Sequence, residues 1–300
     1  MSESGAPSRL VYSSPILRIG RFRCPAGHPA WTRENCTDSG PLVVFPRVPV
    51  RIKHADKAPV VADANCVMFY NAKQPYKRAL LDRRGDACEF FEVNEQILAD
   101  IVSEYEPPVL DRPMSPFRDC SGPSEARQYL AQRKVFDYVT GVDEPDQVFV
   151  DEMSLEVIRG VVALAYKGRK PAALPRRADT DRCHRDAAEA AKEILGKTYT
   201  RRLTLNELAE SVHLSAFHLC RVFRRFTGWT IHQYLTQLRL RDSLEMLLER
   251  RSDLTSLALR LGFSSHAHFT STFQRSFGVC PTRVRDASTI QALQSKRARF

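Results

Sequence analysis

The sequence predicts an α+β chain in two parts, an antiparallel β-barrel or sandwich followed by an all-helical domain. Three observations carry that expectation. Gly, Pro, Asp and Asn punctuate residues 16–100 every 8–12 residues, the rhythm of short antiparallel strands. From Arg185 to about Arg285 apolar residues recur at helical spacing almost throughout. Inside that helical part, one pattern occurs twice at an offset of 49–50 residues.

Taken in order, residues 1–15 are small and polar with Pro and Ser, and read as a disordered N-terminus. Leu42–Lys53 has β-branched runs broken by Pro46 and Pro49, and Pro inside such runs points to edges or bulges. Asn65–Asn71 reads as a short apolar strand bounded by Asn. Ser124–Val139 and Asp151–Lys167 read as helices, the second with Leu155, Ile158, Val162 and Tyr166 on one face. Residues 167–182 hold two prolines and a basic run without apolar period, and are expected to be a linker. The expected domains are therefore 16–166 and 183–287, with a basic tail at 288–300.

Composition narrows the class. With 43% apolar and 27% charged residues, the 300-residue chain is no disordered scaffold, and 13 Gly with 18 Pro are too few for collagen. Apolar stretches such as Gly160–Tyr166 fall far short of the roughly 20 residues a bilayer span needs. The first 20 residues lack an apolar core with a cleavage site behind it, so a cytoplasmic protein with free thiols is expected. The net charge is +10, and residues 181–300 account for +9 of it, with 20 Lys+Arg against 11 Asp+Glu. A basic domain beside a neutral one suggests a polyanion partner. A basic surface kept for solubility is the plainer alternative.

The first copy of the repeat runs Leu208-Ala209, Val212, Leu214-Ser215, Leu219, Phe223, Arg225, Gly228. The second runs Leu257-Ala258, Leu261, Phe263-Ser264, Phe269, Phe273, Arg275, Gly278, with one extra residue at its turn. Each reads as a short helix, a tight turn and a longer helix ending at Gly, the layout of a helix-turn-helix. Ala209 and Ala258 allow close helix approach. Gly262 suits a left-handed helix end. Ser215, and Ser264 or Ser265, stand where an N-cap belongs. Burying Leu219/Phe223 or Phe269/Phe273 frees the opposite face. That face carries Cys220, Arg221, Arg224 and Arg225 in the first copy, and His266, Ala267, Thr270 and Ser271 in the second. Between the copies, Thr230–Arg250 has no helix breaker and an apolar stripe at Leu235, Leu238, Leu244, Leu247 and Leu248. A helix of that length spans roughly 30 Å, close to one turn of B-DNA.

On these residues the chain resembles the AraC/XylS family of bacterial transcription regulators. The resemblance covers about 186–285 and includes Leu208-Ala209, Ser215, Leu219, Arg221, Phe223, Arg224, Gly228, Tyr234-Leu235, Arg239, Ala258, Gly262-Phe263, Phe269, Phe273, Phe277-Gly278 and Pro281. It implies two recognition helices reading double-stranded promoter DNA, with Phe217, Cys220 and Arg221 facing bases in the first and His266, Ala267 and Ser271 in the second, Thr270 beside them. A guanidinium at Arg221 can bond guanine O6 and N7 together. Arg224, Arg225 and Arg275 are expected on phosphate, which positions without reading sequence. Each of these residues can instead be a solvated helix face. The second unit departs from the common pattern in lacking long polar side chains at these positions, so its readout would rest on thymine methyls or DNA shape.

The resemblance further implies an N-terminal cupin-like β-barrel for a small-molecule effector, dimerisation helices with Asp151–Tyr166 as the homodimer contact, and activation through RNA polymerase. Segment Val43–Arg47 and the strand-then-helix order support the first of these. The stripe on Asp151–Tyr166 can equally pack on its own barrel, and repression uses the same DNA-binding chemistry. No catalytic or cofactor role is expected. Alternatives remain in the first half. Cys24 and His28 with Cys36 can supply three soft metal ligands. Cys24, Cys36 or Cys66 can serve as a thiol sensor. A metal-dependent cupin enzyme needs clustered His, yet residues 1–180 hold only His28 and His54.

Overall fold

The structure is a computed structural model and describes residues 8–37, 40–55, 57–167, 178–201, 203–248 and 253–286. The chain divides into two compact units, one of Met1–Ser124 with Val142–Pro171, the other of Glu125–Gly141 with Ala172–Phe300.

The first unit is built on ten strands: β1 (Ser8–Ser13), β2 (Leu17–Cys24), β3 (Asn35–Cys36), β4 (Leu42–Pro46), β5 (Val50–His54), β6 (Val60–Ala62), β7 (Cys66–Tyr70), β8 (Pro75–Leu80), β9 (Asp86–Val93) and β10 (Ser121–Pro123). They form a six-stranded sheet, β1-β2-β9-β4-β7-β10, and a four-stranded sheet, β3-β8-β5-β6. Every pairing is antiparallel. This is the antiparallel, strand-then-helix α+β arrangement expected. Pro46 closes β4 and Pro49 precedes β5, so the two prolines mark where the chain leaves one sheet for the other. Between the sheets, Val44, Met68 and Tyr70 of one pack with Val50, Ile52 and Ala62 of the other. A Cβ at Gly20 on β2 would meet the Phe90 ring at 2.2 Å, so any larger residue there requires the ring to move.

Two helices complete this unit, α1 (Glu95–Ser103) and α3 (Gln147–Lys167); α2 (Ala126–Gly141), between them in sequence, belongs to the other unit. The inward face of α3 is Val150, Ser154, Val157, Ile158, Val161 and Val162. Asp151 accepts hydrogen bonds from Tyr12 Oη and Ser14 Oγ, each at 2.9 Å. Burial and the adjoining carboxylate push the Tyr12 hydroxyl up to about 12. The disordered N-terminus is thereby corrected. Residues 1–7 lie outside the described residues, but Ser8–Ser13 are a strand, and Tyr12 is locked to Asp151. The stripe on α3 is likewise largely occupied within its own unit, with Ile158 and Val162 buried.

The second unit contains α2 (Ala126–Gly141), α4 (Ala178–Thr198), α5 (Leu205–Ser211), α6 (Ala216–Thr227), α7 (Ile231–Leu248), α8 (Leu254–Arg260), α9 (His266–Phe277) and α10 (Pro281–Asp286). Helix α2 lies inside 16–166 by sequence, yet it packs with the helical unit. Tyr129 Oη donates to Glu245 Oε1 at 3.0 Å, and Arg133 Nε reaches the same oxygen at 2.9 Å. Arg241, fully buried on α7, lies 5.2 Å from the Tyr129 ring and 5.8 Å from that of Trp229. Of the expected linker, 168–177 lies outside the described residues, Lys167 ends α3 and 178–182 already belong to α4. The basic tail at 288–300 also lies outside them.

Candidate nucleic-acid interface

Both copies of the repeat fold as helix, turn, helix, and each step has a local cause. Helix α5 starts at Thr204, whose Oγ1 accepts from Glu207 N (3.2 Å) while Glu207 Oε2 accepts from Thr204 N (2.7 Å). These bonds hold the Glu207 carboxyl below its usual range. Helix α8 starts at Asp253, whose Oδ2 accepts from Thr255 N and Ser256 N at 3.1 and 2.9 Å, which lowers its carboxyl in the same way. The turns close on identical main-chain bonds, Leu214 N to Ala209 O and Phe263 N to Ala258 O, both 3.0 Å. One residue in each turn is left-handed, His213 (φ 56°) and Gly262 (φ 79°).

The long helices then begin on serine caps. Ser215 Oγ accepts from His218 N and Ser265 Oγ from His268 N, at 3.3 and 3.1 Å. Of the two serines offered for the second copy, Ser265 is the cap and Ser264 is the inserted residue. Ser264 Oγ instead lies 2.9 Å from His268 Nδ1. Both helices stop at left-handed glycines, Gly228 and Gly278.

Inward, α6 buries Leu219 and Phe223 in a core shared with Ala191 and Leu195 of α4, Leu208, Ala209 and Val212 of the first copy, and Tyr234 and Leu238 of α7, and Val222 is buried as well. Helix α9 buries Phe269, Phe273 and Phe277, with successive ring centroids 5.6 and 4.5 Å apart. Outward, Phe217 is 79% exposed, and Cys220, Arg221, Arg224 and Arg225 are exposed on the same helix. On α9, His266, Ala267, Ser271 and Arg275 are exposed and Thr270 is half-buried. Helix α7 carries both units. Its 18 residues rise about 27 Å.

The outward side chains are not equally free. Among the described residues, Arg221 and Arg224 make no ion pair, whereas Arg225 pairs with Asp181 of α4 at 3.1 Å and lies over Phe226. Ser271 Oγ donates to His268 O at 3.1 Å, and Thr270 Oγ1 lies 3.4 Å from His266 Nε2. Three features escaped the sequence reading. His218 on α6 meets His184 on α4, Nε2 to Nε2 at 3.1 Å, and partial desolvation with the neighbouring His218 and Arg225 lowers the His184 pKa. Gln274 is exposed on α9; the offset of 50 from Arg224 was the available signal. Arg239 bonds main-chain carbonyls, which no local pattern announces.

The cysteine and histidine residues of the first unit are dispersed. His28 Nδ1 accepts from Ala30 N and caps a short 3-10 turn. Cys24 is buried, and burial pushes its thiol up; Cys36 is exposed and Cys66 half-buried. Among the described residues, no three of His, Cys, Asp or Glu are grouped to hold a metal ion. None of the described helices is long and apolar enough to cross a membrane.

The helix-turn-helix domain family matches residues 208–287. The chain is 32% identical over 88 residues to the probable transcription factor PqrA of Proteus vulgaris, covering 29% of this chain and 72% of that one. The chain belongs to the AraC/XylS family of transcription regulators. Among other relatives, the bifunctional transcriptional activator/DNA repair enzyme AdaA of Bacillus subtilis is 28% identical over 99 residues, 33% of this chain and 47% of that one. The melibiose operon regulatory protein of Escherichia coli is 28% identical over 177 residues, 55% and 56% of the two chains. The match thus spans about half the length of these two AraC/XylS relatives. A solved structure of ToxT from Vibrio cholerae aligns at 10% identity over 89% of this chain and 97% of that one, with a TM-score of 0.36.

Proposed function

We propose that this regulator reads two successive major-groove segments of promoter DNA, one with α6 and one with α9. The observation that supports it is the pairing of two serine-capped helices on one α7, one burying Leu219 and Phe223 and the other Phe269 and Phe273, each with an exposed face outward. Helix α6 supplies the main discrimination. Arg221 bonds a guanine edge, Phe217 and Cys220 contact bases beside it, and Arg224 meets phosphate. Arg225 reaches phosphate only by leaving Asp181. Helix α9 offers His266, Ala267, Thr270 and Ser271 to thymine methyls and groove shape, with Arg275 on phosphate. The family, and one relative named as a transcriptional activator, AdaA, favour recruitment of RNA polymerase as an activator.

The same reading makes the chain a cytoplasmic binding protein, not an enzyme, with the two-sheet unit responding to a small-molecule effector and forming a homodimer. Polar groups between the sheets favour effector control. The His54 and Tyr70 rings lie tilted at 38° with centroids 4.7 Å apart, and Arg78 pairs with Asp86 at 3.0 Å. Burial pushes the Asp86 carboxyl up to about 6 against the pull of Arg78. The dimer contact would use surface other than the covered face of α3.

Selection from random duplexes with the full chain at about 150 mM salt, where non-specific phosphate binding is weakened, tests the reading. Two enriched blocks with centres about 10 base pairs apart are expected. Enrichment of a single block would remove α9 from the readout, and no enrichment with or without candidate effectors would overturn the proposal.

A further inference from the structure

Arg239 stands near the middle of α7 and spends its guanidinium on main-chain oxygens. Nε donates to Tyr199 O at 2.7 Å, Nη1 to Gly262 O at 2.9 Å and Nη2 to Arg201 O at 3.4 Å. Tyr199 and Arg201 lie between α4 and α5, on the side of the first helix-turn-helix, and Tyr199 packs against its core. Gly262 is the turn of the second. One side chain therefore ties the frame of one reading unit to the turn of the other. A planar fork of five donors can hold several acceptors at fixed angles, which a lysine ammonium cannot.

Two neighbouring features fit the same role. A Cβ at Gly262 would lie 2.8 Å from Arg239 Cζ and from its Nη2, so the glycine admits the guanidinium. The left-handed turn does not by itself demand glycine, since His213 adopts it in the first copy. Tyr199 Oη also donates to Asp242 Oδ2 at 3.0 Å, one turn further along α7, so this segment is held twice.

We propose that Arg239 is a positioning residue that sets the distance and rotation between the two recognition helices, and through them the spacer length between the two DNA boxes. The inference rests on the two-box reading above. Each added base pair moves the second box by about 3.4 Å and turns it by about 35°. A rigid pair of helices cannot follow that shift; a loosened pair can.

The experiment is selection and binding with full-length protein on duplexes that keep both selected boxes and vary the spacer. For the unaltered protein, one base pair more or less is expected to cost about tenfold in affinity, the size of a mismatched base pair. Arg239→Gln should keep both box sequences and reduce that penalty to about twofold or less. Arg239→Lys, which keeps the charge and loses the fork, should fall between, and decides the matter if circular dichroism shows the glutamine variant unfolded. A spacer profile unchanged from the parent overturns the inference. So does an equal loss at every spacer, which would make Arg239 a stabilising residue only. Both outcomes leave the two-box reading standing. Failure of the unaltered protein to select paired boxes overturns that reading itself.

Discussion

The two helix-turn-helix copies reach one geometry by different local means. The first begins on a Thr204–Glu207 capping box and turns through His213; the second begins on Asp253 and turns through Gly262 with Ser264 inserted. Their inward faces agree, while their outward faces diverge. The first is arginine-rich, with Arg221 and Arg224 unpaired among the described residues. The second carries small side chains at Ala267, Thr270 and Ser271, with Ser271 bonded back to its own helix. Burial constrains shape and so fixes Leu219, Phe223, Phe269 and Phe273. Exposure leaves the outer face free to specialise.

The comparison can be broken at several points. The largest expected effect is in the cores: Phe223→Ala and Phe273→Ala should each cost about 3–5 kcal/mol in urea unfolding. A much smaller loss for one would show that the copies are not equally packed. Next, Arg221→Ala should cost about 1–3 kcal/mol at one base position and relax preference there, while Ser271→Ala should stay within about 0.5 kcal/mol. Equal losses measured by titration on selected duplexes would contradict the division of labour.

The turns should respond in opposite directions. Gly262→Ala should destabilise by about 1–2 kcal/mol, since it adds a Cβ in the left-handed region and against Arg239, whereas His213→Gly should be neutral or stabilising. Thermal melts of the two variants decide it. Ser215→Ala and Ser265→Ala should each lose about 1 kcal/mol of stability, and a null result at one would mean that its cap is replaced by solvent.

The smallest effect is a pH dependence confined to the first copy. The pKa of His184 is lowered in the folded state, so folding favours its neutral form. The stability this contributes is present above the unfolded value of about 6.5 and is lost as pH falls below it. Among the described residues, the second copy shows no such histidine pair. His184→Gln should flatten the stability profile of the helical unit between about pH 5 and 7. An unchanged profile would discard the His184–His218 contact as its source.

Much of this was legible from residue order. The repeat offset located both turns, because caps, glycine stops and inward phenylalanines act within a few residues of one another. Pro46 and Pro49, expected to mark sheet edges or bulges, instead end one central strand and precede another, in different sheets. Other features were hidden in partners distant along the chain. Pairing with β2 turns the polar, Ser-rich start into a strand, and Tyr12 meets Asp151 far along the chain. Arg225, a plain phosphate candidate in sequence, faces Asp181 across two helices.

The sequence by itself determined the two helix-turn-helix copies, their exposed faces and the basic excess, since periodicity, capping and composition are local or additive properties. Only the tertiary structure decided that α2 packs with the helical unit, that α3 spends its apolar face within its own unit, and that Arg239 joins Tyr199 to Gly262. Those facts depend on groups brought together by chain closure, and an apolar stripe or a lone arginine carries no mark of which partner will cover it.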